Sequence, residues 1–202
     1  SAASSDYPLR DVYKRQLPFT WVIGENDTAY GRADRCKEAQ VAWDALRTEH
    51  GTGFQGGMEW LPGVGHSVPD RDKVKDLRSF TRNVTPTKFT WAQTDSVLQG
   101  FYWLHDSSPK EGEMISAAVQ TTASGTTFTL SSGAEQSGLV LLPQLSQITP
   151  GKPVTIRVTF GANEQSVVLT PQPTLGNYIQ SLLERGDRDL ASPLRFEVPG
   201  GK

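Results

Sequence analysis

Two apolar runs, each ending in a glycine-containing turn that delivers a chemically able side chain, constrain this chain more than any other feature. The first is Phe19-Thr20-Trp21-Val22-Ile23, followed by Gly24-Glu25-Asn26-Asp27. The second is Met58-Glu59-Trp60-Leu61, followed by Pro62-Gly63-Val64-Gly65-His66. Phe19 to Ile23 is β-branched or aromatic on both parities, which predicts a strand buried on both faces. Between the runs, Cys36, Ala39, Trp43 and Leu46 recur at spacings of three and four, an apolar stripe on a helix from Arg32 to Arg47 that His50-Gly51-Thr52-Gly53 ends. After His66, Pro69-Asp70 opens a second helix carrying Val74, Leu77 and Phe80, and Asn83 closes it. Strand, helix, strand, helix predicts one parallel crossover unit with a covering helix. In parallel sheets functional groups sit in the loops leaving the carboxyl ends of the strands, so Asp27 and His66 are expected to face one crevice.

Composition narrows the partners. The chain has 202 residues, room for one large domain or two small ones, and 36% hydrophobic with 21% charged residues describes an ordinary globular protein. A net charge of −2 gives no reason to expect a nucleic acid or an anionic membrane surface. No run reaches the roughly 20 apolar residues of a spanning helix. The single Cys36 rules out an internal disulfide and a cysteine cage, and its helical setting predicts a small, buried or half-buried residue. His50 and His105 have no partner at metal-ligand spacing and read as solvated loop positions. No metal and no cofactor is expected. The compartment stays open, with a secreted or periplasmic location favoured.

Residues 1–16 show no amphipathic period and no signal-peptide pattern. Asp11-Val12-Tyr13-Lys14-Arg15-Gln16 resembles the translated read-through of sequencing-adapter DNA, which would make this leader non-native and the true start of the protein further upstream; the alternative is an ordinary disordered terminus. Asn83 to Thr87 reads as a linker. Beyond it, short β-rich runs alternate with Gly, Ser and Pro turns: 89–93, 100–104, 114–120, 126–130, 139–142, 154–160 and 166–169. Strands at this spacing predict a small β-sandwich-like domain. Val154, Ile156 and Val158 alternate with Thr155, Arg157 and Thr159, one face in and one face out. Leu175, Ile179, Leu182 and Leu183 form one late helix, stopped by Gly186. The fold class expected is therefore α+β in two parts: 1–16 a leader, 17–84 an α/β part, 85–202 an all-β accessory domain.

Strand, Gly-x-x-Asp, helix, strand, Gly-x-Gly-His, helix resembles the C-terminal portion of an α/β hydrolase, the fold of many esterases and prolyl-oligopeptidase-like peptidases. The likeness spans roughly residues 19–82, and it implies a partial parallel hydrolase sheet. In that family the chain order is serine, acid, histidine. The resemblance assigns the acid to Asp27 and the base to His66, with Glu25 as the fallback acid. It implies a small ester or peptide substrate. No Gly-x-Ser-x-Gly occurs in these residues, so the serine and the oxyanion donors are expected upstream, and this chain alone is expected to be inactive. Ser67 adjoins His66, but neighbouring residues on a turn point apart. Phe101-Tyr102-Trp103-Leu104 and Pro153-Val154-Thr155-Ile156 resemble an accessory domain appended to some bacterial α/β hydrolases.

Bland readings stand beside these. The alternative for Asp27 is a helix N-cap or turn residue, since Asn-Asp-Thr is good turn chemistry. His66 serves as a solvated loop histidine. Trp91, Tyr102 and Trp103 either stack on a sugar or pack in the core, and strand aromatics favour the core. The rival function is a non-catalytic binding or assembly module centred on the β domain, with a glycan or a protein as its partner.

Overall fold

A computed structural model describes residues 19–50, 56–69, 75, 78, 80, 81, 83–93 and 97–200. The chain is mixed α+β and divides into two compact units, Ser1–Arg82 and Asn83–Lys202. The leader at 1–16 and most of the helix expected after Pro69 lie outside the described residues. No helix among the described residues is long and apolar enough to cross a membrane.

In the first unit, β1 (Phe19–Gly24) pairs in parallel with β2 (Gly56–Leu61), and α1 (Arg32–His50) connects them. The register runs from Phe19 opposite Gly56 to Gly24 opposite Leu61, so both strands end level. The Asp27 and His66 turns therefore leave the sheet at the same edge. Trp43 anchors the helix: it is almost fully buried, and its ring meets Trp21 at 5.6 Å and Phe19 at 5.8 Å. Polar contacts tie α1 to β2, with the Gln40 side-chain oxygen accepting the Met58 N–H at 2.7 Å and Arg47 donating to the Gly56 carbonyl at 2.6 Å. Burial along β1 corrects the expectation of a strand covered on both faces. Phe19 and Thr20 are exposed, Trp21 and Val22 half-buried, and only Ile23 and Gly24 are buried. Among the described residues two strands and one helix leave part of β1 uncovered, and burial concentrates at the end that carries the turns.

The second unit has two sheets. The five-stranded one runs β10 (Asn163–Leu169), β9 (Val154–Phe160), β7 (Gly125–Ser132), β6 (Met114–Thr122), β3 (Lys88–Ala92). The four-stranded one runs β11 (Phe196–Glu197), β8 (Leu139–Leu141), β5 (Leu104–Asp106), β4 (Gly100–Phe101). Among the described residues of this unit only β7 and β9 pair in parallel, because between them the chain leaves to place β8 in the other sheet. Aromatic rings join the sheets: Trp103 meets Phe89 at 4.8 Å and Phe128 at 5.1 Å. Val154, Ile156, Val158 and Phe160 point inward as their alternation predicts.

The single strand expected over Gly100 to Leu104 is instead a hairpin, β4–β5, turning at Tyr102-Trp103 with Tyr102 at φ +50. A bulky residue at positive φ persists only when its surroundings fix it. Here the Tyr102 ring packs on Phe89, the Trp103 Nε1–H donates to the Pro86 carbonyl at 2.8 Å, and Arg185 donates to the Tyr102 and Leu104 carbonyls at 2.6 and 3.0 Å. Arg185 ends α2 (Leu175–Arg185), which Thr174 caps through the Asn177 N–H and Gly186 closes at φ +60. The apolar stripe of α2 faces outward: Leu175, Ile179 and Leu183 are exposed, while Ser181 is buried and exchanges hydrogen bonds of 2.8 and 2.9 Å with the Ser192 backbone.

Candidate active site

The turn after β1 and the turn after β2 are built as one piece. The Glu25 N–H donates to the Leu61 carbonyl and the Asn26 N–H to the Val64 carbonyl, both at 2.9 Å. The Glu25 carboxylate accepts the Gly63 N–H at 2.8 Å. That bond spends Glu25 on the neighbouring turn, and the fallback acid is structural. At Gly24 the turns touch so closely that a Cβ would sit 2.2 Å from the Gly65 carbonyl oxygen and 2.3 Å from that of Val64. Glycine is required there for space.

This platform brings Asp27 and His66 together. Asp27 Oδ2 lies 3.0 Å from His66 Nδ1. Asp27 is 5% exposed and His66 is 75% exposed. Asp27 Oδ1 accepts from Arg32, Nε at 2.8 Å and Nη2 at 2.5 Å. The Arg32 bonds, and after them the His66 bond, hold the Asp27 carboxyl down to about 2, so it is ionised at neutral pH. An ionised carboxylate only accepts, so His66 Nδ1 must donate. The Nδ1–H tautomer leaves the lone pair on Nε2, on the side of the ring away from Asp27. In chemical terms this is an oriented general base with a buried anion behind it.

Arg32 and Gly24 were not singled out by the sequence. A signal for Arg32 existed: it is the first residue of α1, where the helix dipole disfavours a cation, so an arginine at that position implies an anion nearby. Next to the site, Tyr30 sits at φ +56 with its ring exposed and the Arg32 guanidinium 5.5 Å from the ring centre. Cys36 is half-buried, with its thiol pushed up by burial and then by the charge of Asp27, the opposite of an activated nucleophile. Ser67 is exposed, and among the described residues Asp27 is the hydrogen-bond partner of His66.

The remaining candidates resolve as follows. His105 is buried in β5, not solvated in a loop, and burial lowers its pKa. His50 ends α1. Among the described residues no cluster of His, Cys, Asp or Glu could hold a metal ion. Trp91, Tyr102 and Trp103 are buried, so their faces are not free to stack on a sugar.

No protein-family profile matches the chain, and no curated protein or solved structure shows significant similarity to it.

Proposed function

We propose that Asp27 and His66 are the acid and base of a Ser-Asp-His hydrolase that cleaves an ester or peptide bond, its serine contributed by sequence upstream of this chain. The observation that carries this reading is the 3.0 Å contact from a buried, ionised carboxylate to Nδ1 of a largely exposed imidazole. In the proposed cycle His66 Nε2 takes the serine hydroxyl proton as the oxygen attacks the carbonyl carbon. His66 then gives that proton to the departing alcohol or amine. Water releases the acyl group by the same steps, with His66 again as base. Asp27 stays ionised throughout and stabilises the imidazolium. The oxyanion donors belong to the same preceding sequence.

In a longer protein that includes that sequence, His66→Ala is expected to abolish turnover of a p-nitrophenyl ester, a loss on the order of 10⁶-fold, because the serine then has no base. Asp27→Asn should cost about 10⁴-fold, because an amide favours the wrong tautomer. Full turnover in both variants would refute the assignment.

One observation favours the other reading, an assembly module centred on the β unit: the outward apolar stripe of Leu175, Ile179 and Leu183. Sedimentation of residues 83–202 that stays monomeric at high concentration would remove self-association from it.

A further inference from the structure

The two oxygens of Asp27 have separate partners. Oδ1 takes both Arg32 donors, and Oδ2 takes His66. Among the described residues no other side chain donates to this carboxylate. A buried carboxylate held by His66 alone can rotate about its last bond and offer either oxygen, or neither, at the right angle. Two N–H groups converging on Oδ1 remove that freedom. Arg32 is itself held at both ends: its backbone opens α1 at φ −59 and ψ −45, and its guanidinium lies against the Tyr30 ring. The Tyr30 carbonyl is tied to Arg35. The strained turn at Tyr30 and the cation at the start of the helix thus have one explanation, delivery of a planar two-donor group to one oxygen. A lysine in the same place is a compact charge without the fork.

We propose that Arg32 is the positioning residue of the Asp27–His66 pair: by occupying Oδ1 it presents Oδ2 to His66 and so selects the Nδ1–H tautomer that leaves Nε2 free to accept a proton. The inference rests on the acid–base reading above and names the group that makes the pair work. Among the described residues the charged and titratable groups around it are few. Arg32 and His66 face Asp27, Cys36 senses its charge from α1, and Glu25 is committed to the Gly63 N–H.

The test needs no nucleophile and uses the 202-residue chain. Nitrogen-15 shifts of the His66 ring, read above its titration, give the ratio of the two neutral tautomers. Amide shifts of Glu25 and Asn26, which bond to Leu61 and Val64, report whether the joined turns remain intact. The wild-type ring is expected mainly as Nδ1–H. In Arg32→Gln the ratio should fall severalfold with both amides unmoved, and in Arg32→Lys it should fall by less. An unchanged ratio in Arg32→Gln overturns the role of Arg32 and leaves the acid–base reading standing. If Arg32→Gln disturbs the amides, Arg32→Lys decides: a wild-type ratio there shows that charge alone suffices and overturns the inference. A wild-type ring found mainly as Nε2–H would sink the acid–base reading itself.

Discussion

Asp27 shows how few residues set the chemistry of this site. Folding moves its carboxyl from 3.8 to about 2, through Arg32 first and His66 second. The folded pKa lies below the unfolded one, so the contribution to stability is full above pH 3.8 and is lost as pH falls through about 2. Carbon-13 titration of the Asp27 carboxyl should therefore give a midpoint near 2. A midpoint at the ordinary 3.8 would mean that the Arg32 and His66 bonds are not formed in solution. Gly24 sets the second condition. In Gly24→Ala the new methyl meets two backbone oxygens that cannot step aside like a side chain, so the turns must separate. Overpacking of this kind costs roughly 1–3 kcal/mol. The thermal midpoint should fall accordingly, and the His66 ring should lose its Nδ1–H preference. An unchanged melt and ring would show that the turns have slack. Asp27 and His66 were legible because apolar runs ending in Gly turns announce strand ends. The crowding at Gly24 was not legible, because it depends on two turns that meet only when the parallel register is set.

At the scale of elements, periodicity recovered what is half-buried and failed where tertiary contacts decide. β9 carries a clean period and forms as expected, and α1 starts at Arg32 as expected but runs on to His50. The Phe-Tyr-Trp-Leu run has strand propensity at every position, yet it breaks at Tyr102 because Pro86, Phe89 and Arg185 fix a turn there. β10 begins at Asn163, three residues before the expected start, since a polar, exposed edge strand shows no period and its extent comes from pairing with β9. The late helix forms where its stripe and Gly186 place it, with Leu175, Ile179 and Leu183 exposed. Trp103 is the load point of the aromatic cluster joining the sheets, so Trp103→Ala should cost about 3–5 kcal/mol, read by urea denaturation. Leu183 is 80% exposed, and Leu183→Glu should shift stability by no more than about 0.5 kcal/mol. A large loss in the second variant would show that the outward face of α2 is covered in solution.

For the whole molecule, the division at Arg82 and Asn83 separates a β unit with its own buried aromatic core from an α/β unit whose burial gathers at one end of two strands. Residues 83–202 should therefore unfold cooperatively on their own, with a sharp β signal in circular dichroism. A broad, non-cooperative melt would place part of that core outside the unit. In the first unit the level strand ends, the joined turns and Arg32 together set the Asp27 carboxylate against the His66 imidazole. The most direct test of the proposed acid–base role of that pair is labelling with a fluorophosphonate probe, followed by mass-spectrometric mapping of the modified residue. In the longer protein the account predicts one labelled serine that precedes Asp27 in the chain, and loss of labelling in His66→Ala. The 202-residue chain should take up no label. Stoichiometric labelling of the 202-residue chain, at Ser67 or any other serine within it, would contradict the account.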